Sequence, residues 1–175
     1  MDQPLVFTFV AADQPGLVET LSRTVAAHGG NWLESRMSEL AGQFAGIVTV
    51  AVDAAQAPAL RAALLALSAH QLQVVVADNP VAPAPSGLRT LQLSILGNDR
   101  PGIVREVAHA LASRQVSVSA MDTHIRSAPM SGEALFDAQA QIQVPRTLDL
   151  AELRAQLDAI ADALTLDIAL DESPN

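Results

Sequence analysis

One seven-residue stretch occurs twice and sets the frame for the whole chain. Ala12-Asp13-Gln14-Pro15-Gly16-Leu17-Val18 returns 86 positions later as Asn98-Asp99-Arg100-Pro101-Gly102-Ile103-Val104. Each copy follows an alternating apolar run and precedes a helical pattern, so the shared unit is strand, Asp-x-Pro-Gly turn, helix. That spacing is too long for a solenoid repeat and suits two copies of one small domain. Proline holds Gln14 and Arg100 extended and is favoured at the first helical position, which places Gly16 and Gly102 in the first turn. The backbone amides there have no intrahelical partner, and the helix dipole favours a negative group beside them. Two readings stay open. The turn is a seat for a carboxylate or phosphate, or Asp13 and Asp99 cap their own helices and fill that end themselves.

Within the first repeat, Leu5, Phe7 and Phe9 alternate with Val6, Thr8 and Val10. Apolar residues on both sides predict a central strand buried on both faces. Leu17, Leu21 and Val25 make one helical stripe with Val18 beside it, and Gly29-Gly30 ends the helix. Asn31 to Glu39 and Phe44 to Val52 read as strands joined at Ala41-Gly42. In the second of these, Gly46 shares a face with Phe44 and Val48 and signals a close approach of another backbone. Asp53 to Ala69 reads as a helix with Leu60, Leu64 and Leu67 on one side, and Leu72 to Ala77 as the last strand.

The second repeat has the same order. Leu91, Leu93 and Ile95 match Leu5, Phe7 and Phe9, and Ile103, Val104, Val107 and Leu111 repeat the helical stripe. Val116 to Arg126 is the second strand. Phe136, Ala138, Ala140, Ile142 and Val144 align with Phe44 to Val52 at an offset of 92, so Ser127 to Gly132 holds the six extra residues. Leu150, Leu153, Leu157, Ile160 and Leu164 mark the last long helix, Thr165 to Leu170 the closing strand, and Asp171 to Asn175 a frayed tail. Gln139, Gln141 and Gln143 give this sheet a half-solvated face, where the first repeat has Ala45, Ile47, Thr49 and Ala51, a surface suited to association or simply tolerant of small residues. The fold class expected is α+β: two tandem ferredoxin-like βαββαβ domains, each an antiparallel sheet with helices on one face. The domains cover residues 1–78 and 89–171, joined by the proline-rich linker 79–88 and followed by the tail 172–175.

Charge and residue usage narrow the function. Residues 1–78 carry seven acids against three arginines, and residues 89–175 twelve against seven, with no lysine anywhere. Neither half has a basic patch, which argues against direct nucleic-acid binding. Cysteine is absent, so disulfides and thiolate chemistry are excluded. The N-terminus lacks the features of a signal peptide, no apolar run suits a membrane span, and a cytoplasmic location is expected. No nucleophile elbow or phosphate loop occurs, and His28, His70, His109 and His124 do not form a metal-ligand spacing. No catalytic residue, metal or cofactor is therefore expected. Asp122 with His124, and Glu34 with Arg36, each share a strand face and read first as surface pairs.

Two such units, each with Asp-x-Pro-Gly-[Leu/Ile]-Val opening its first helix, resemble tandem ACT domains. Gly30-Asn31-Trp32-Leu33-Glu34-Ser35-Arg36-Met37 and Gln43-Phe44 bring the chain nearer to the glycine cleavage system transcriptional repressor family. The second repeat departs, with Gln115-Val116-Ser117 in place of Gly29-Gly30-Asn31. The resemblance implies a non-enzymatic regulator that binds a small amino acid and acts on a transcriptional activator by protein contact, without touching DNA. The residues it implies for the ligand are Asp13, Gln14, Gly16, Leu17, Val18 and Asn31 in the first repeat and Asn98, Asp99, Gly102 and Ile103 in the second. The first repeat is expected to supply more of the contact. The alternative from the residues is a ligand-free interaction module, such as a homodimer built on the apolar sheet face or on the helix Ala54 to Ala69.

Overall fold

A computed structural model describes residues 2–77, 86–128 and 132–172. Most of the proline-rich segment, Pro129 to Ser131 of the inserted loop and the last three residues lie outside it. The chain divides into two compact units, residues 1–83 and 84–175. The first runs β1 (Asp2–Ala12), α1 (Leu17–Ala27), β2 (Asn31–Leu40), β3 (Gln43–Asp53), α2 (Ala57–Ala66) with a 3-10 turn over Leu67–His70, and β4 (Gln73–Val76). The second runs β5 (Leu88–Asn98), α3 (Ile103–Ser113), β6 (Ser117–Ser127), β7 (Ala134–Pro145), α4 (Leu150–Leu164) and β8 (Leu166–Glu172). The sheets are antiparallel with strand orders β2-β3-β1-β4 and β6-β7-β5-β8, and the helices cover one face of each.

The two cores are built alike. Phe7 and Phe9 of β1, Val48, Val50 and Val52 of β3, Leu17, Leu21 and Val25 of α1 and Leu60 and Leu64 of α2 close the first. Leu91, Leu93 and Ile95, Ala138 to Val144 on alternate positions, Ile103, Val107 and Leu111, and Leu153 and Leu157 close the second. Gly46 sits where a Cβ would meet the Arg36 carbonyl and the Phe9 ring, each at 2.8 Å, so the expected close approach is there. Asp149 caps α4 by accepting the Ala151 N–H at 2.8 Å.

Several expectations are corrected. β1 is central but buried on one face only, because no helix covers the side carrying Val6, Thr8 and Val10; Thr8 and Val10 are exposed. The stretch Asp53 to Ala69 is not one helix: Asp53 first makes a side-chain turn to the Ala55 N–H, and α2 begins at Ala57. Asp171 and Glu172 are not frayed but pair with Gln92 and Leu91.

Both first helices end in the same turn despite different residues. Gly29 has φ 70°, and the Gly30 N–H donates to the Val25 carbonyl. Gln115 takes the same left-handed conformation at φ 58°, and the Val116 N–H donates to the Leu111 carbonyl. A side chain in that conformation costs about 1 kcal/mol relative to glycine. Gln115→Gly is therefore expected to raise stability by about 1 kcal/mol, read as an upward shift of the denaturation midpoint. An unchanged or lowered midpoint would show that the Gln115 side chain offsets its own strain.

Candidate functional site

The first Pro-Gly turn hangs from the tip of the β2–β3 hairpin: β1 ends at Ala12, and the Asp13 N–H donates to the Gly42 carbonyl at 2.9 Å. The second is tied in the same way, Asp99 N–H to the Ala134 carbonyl at 2.8 Å. In both, proline lies outside the helix. Gly16 (φ 93°) and Gly102 (φ 102°) are the N-cap residues, and the helices begin at Leu17 and Ile103. This corrects the placement of the prolines at the first helical position. It also tells against the capping reading: the N-cap residues are glycines, and no side-chain hydrogen bond reaches either helix start among the described residues.

The first intrahelical bond in α1 runs from the Thr20 N–H to the Gly16 carbonyl, so the amides of Leu17 to Glu19 precede the ladder. They border an open depression of about 400 Å³ lined by Asp13, Gln14, Gly16, Leu17, Val18, Glu19 and Phe44, with the Glu19 carboxylate drawn to Arg23 at 3.4 Å. A second hollow of about 500 Å³ shares Gln14, Gly16, Leu17 and Glu19 with it and has Thr20, Arg23 and His70 on its wall. No heavy atom would meet a Cβ on Gly16 within 4 Å. The counterpart at Gly102 is approached by an Arg105 guanidinium nitrogen at 3.9 Å, and Arg105 is itself held by Glu106 at 2.6 Å. Asp13, Gln14, Gly16, Leu17 and Val18 thus come together at one place, and Asn98, Asp99, Gly102 and Ile103 at the equivalent place in the second unit. Leu17 and Ile103 face the core, while Val18 and Val104 are exposed beside the turns.

Asn31 does not join this group. It pairs with Ala51, whereas the turn adjoins Gln43 at the opposite end of β3. Eight residues of strand separate the two, roughly 27 Å. The sequence offered no way to see this, because a strand's direction relative to a turn is a matter of pairing. Ser35 and Arg36 lie midway along the β2 edge, opposite Val48 and Ile47. Glu34 and Arg36 share a face without an ion pair, and Asp122 and His124 are exposed on β6 without a hydrogen bond between them, among the described residues. The described residues contain no cluster of three or more potential metal ligands and no helix long and apolar enough to cross a membrane.

The outer sheet faces differ in kind. In the first unit the rung Arg36, Ile47, Thr8, Val75 crosses the sheet, with Ile47 47% and Val75 67% exposed. In the second unit the same rung reads Asp122, Gln139, Ser94, Ala169, and the neighbouring one His124, Asp137, Leu96, Asp167. Asp137, 8% exposed, is the buried charged residue of the described chain and is ion-paired to Arg126. Sequence reasoning began this polar face at Gln139 and passed over Asp137. The available signal was its alignment with Ala45, a carboxylate where the first repeat needs none.

Residues 3–77 match the family model described as the ACT domain, so the first unit is an ACT domain, and the second repeats its fold. No protein of curated function matches the chain. Over its length the chain is similar to the crystal structure of an unknown protein from Galdieria sulphuraria, with 26% identity, TM-score 0.85 and coverage of 99% of this chain and 100% of that one. It also shares its fold with a protein described as a candidate glycine cleavage system transcriptional repressor, at 19% identity and TM-score 0.75, covering 100% of this chain and 99% of that one.

Proposed function

We propose that this chain, an ACT domain followed by a second unit of the same fold, is a non-enzymatic cytoplasmic regulator that senses a small amino acid and passes the signal to a transcriptional activator by protein contact. The observation that carries the reading is the uncapped start of α1, where Gly16 leaves three amides facing an open depression. A ligand carboxylate accepts from those amides with the helix dipole behind them. The ligand ammonium meets Asp13 or the Gln14 amide oxygen at the rim. A glycine-sized ligand fits within the open depression, beside Val18 and Phe44. The first unit is the stronger site, since residues 3–77 are the ones that match the ACT domain model. The acidic chain leaves DNA contacts to its partner.

Substituting Gly16 would test strain and access together, because φ 93° is unfavourable for any side chain. Val18→Asp separates them. Val18 is exposed in the first turn, where a carboxylate favours the helix by a few tenths of a kcal/mol. The same charge opposes a ligand carboxylate. Calorimetric titration with glycine, serine and alanine is expected to show binding to the native protein and at least tenfold weaker binding to a fully folded Val18→Asp variant. Silence of the native protein across the panel removes the sensor reading.

A second reading, a ligand-free interaction module, is favoured by the exposed Ile47 and Val75 on the outer face of the first sheet. Light scattering decides it: a strict monomer at tens of micromolar with no partner would eliminate a homodimer built on that face.

A further inference from the structure

We propose that the outer face of the second sheet is a separate site for a linear diamino acid of the lysine type. Asp137 on β7, Leu96 on β5 and Asp167 on β8 belong to one rung, which His124 on β6 completes beyond Asp137, and directly opposed residues in antiparallel pairs point to the same side. The side chains therefore present carboxylate, apolar surface, carboxylate in a line, with the two Cα atoms about 10 Å apart across two strand spacings. Arg126 stands at one end, its side chain 64% exposed and its guanidinium on Asp137. These four residues, with Ser94 and Gln139, line a depression of about 440 Å³. That volume suits a small molecule.

The fold does not require this chemistry. The positions equivalent to Asp137, Gln139, Leu96 and Asp167 in the first unit are Ala45, Ile47, Val10 and Gln73, on the same registers. A carboxylate in a largely buried position is costly unless it is paired, and pairing to an exposed arginine leaves the pair open to exchange. Asp167 is exposed and has no side-chain partner among the described residues. Two carboxylates and one guanidinium leave one net negative charge. The complement is a molecule with two cationic nitrogens, a methylene chain between them and one carboxylate. Its α-ammonium meets Asp137, its carboxylate takes Arg126, its methylenes lie on Leu96, and its terminal ammonium reaches Asp167.

The site shares no residue with the Pro-Gly turns, so it stands or falls independently of the glycine reading. The test is calorimetric titration of the full chain, near physiological salt, with lysine, norleucine and 1,5-diaminopentane. Lysine is expected to bind at least tenfold tighter than either analogue, since each lacks one charge-assisted contact. Asp167→Asn, at an exposed position, is expected to reduce lysine to the norleucine level while Val18→Asp leaves lysine binding unchanged. Arg126→Gln is expected to reduce lysine to the diaminopentane level without weakening the diamine. Absence of lysine binding overturns the proposal. Equal binding of lysine and diaminopentane to the native protein also overturns it, by reducing the effect to attraction of cations to an acidic chain. A dimer in light scattering that Asp167→Asn dissociates would assign the face to a second copy instead.

Discussion

Phe7→Ala is expected to lower the stability of the first unit by about 4 kcal/mol. Phe7 is fully buried in the middle of β1, and its ring meets Trp32 edge to face with centroids 6.2 Å apart. Truncation removes the transfer free energy of a ring, leaves a cavity between sheet and helices, and removes the aromatic contact. A domain of this size has roughly 4–12 kcal/mol in total, so the loss brings the unit close to unfolding. Trp32 is the sole tryptophan, so its fluorescence reports the first unit alone. The denaturation midpoint by fluorescence is expected to fall sharply in Phe7→Ala and to stay in place in Leu93→Ala, the equivalent change in the second core. Equal shifts by fluorescence in the two variants would show that the units unfold together.

Gly46→Ala is expected to cost about 2–3 kcal/mol, large for one added methyl group. The new Cβ would meet the Arg36 carbonyl and the Phe9 ring at 2.8 Å and Met37 Cγ at 3.0 Å. A backbone carbonyl cannot swing away as a flexible side chain can. The second unit shows the other solution. Phe9 pairs with Gly46 across β1 and β3, and Ile95 pairs with Ala138 across β5 and β7. A large ring demands a bare partner, and a smaller side chain accepts a methyl. Combining Phe9→Ile with Gly46→Ala is expected to recover about 1 kcal/mol of the sum of the single changes, because the carbonyl contact remains. Strict additivity in urea denaturation would show that the ring is not the obstacle.

These residues also show what could be read in advance. The repeat offset alone located both cores, since burial follows alternation on a strand and the 3–4 spacing on a helix. It also located Gly46, because glycine within an apolar strand has few other causes. The solvent side of β1 was misread because Val6, Thr8 and Val10 look the same whether or not a second layer covers them. The helix start was misplaced by two residues, since proline precedes or opens a helix with equal ease in sequence. Asn31 was grouped with Asp13 because pairing direction, which puts them at opposite ends of the sheet, leaves no mark on either residue. Gln115 hid its left-handed turn behind a side chain that seldom adopts one.

The backbone bond from Asp13 to the β2–β3 tip makes the Pro-Gly turn and an edge strand one mechanical part. Whatever orders the turn restrains the hairpin, and whatever grips the hairpin restrains the turn. Thermodynamic linkage then fixes a symmetry: if an amino acid weakens a protein partner held at that edge by some factor, the partner weakens the amino acid by the same factor. Two titrations, each with the other component saturating, measure that factor from both sides. Unequal factors would place the partner's grip somewhere the turn does not reach.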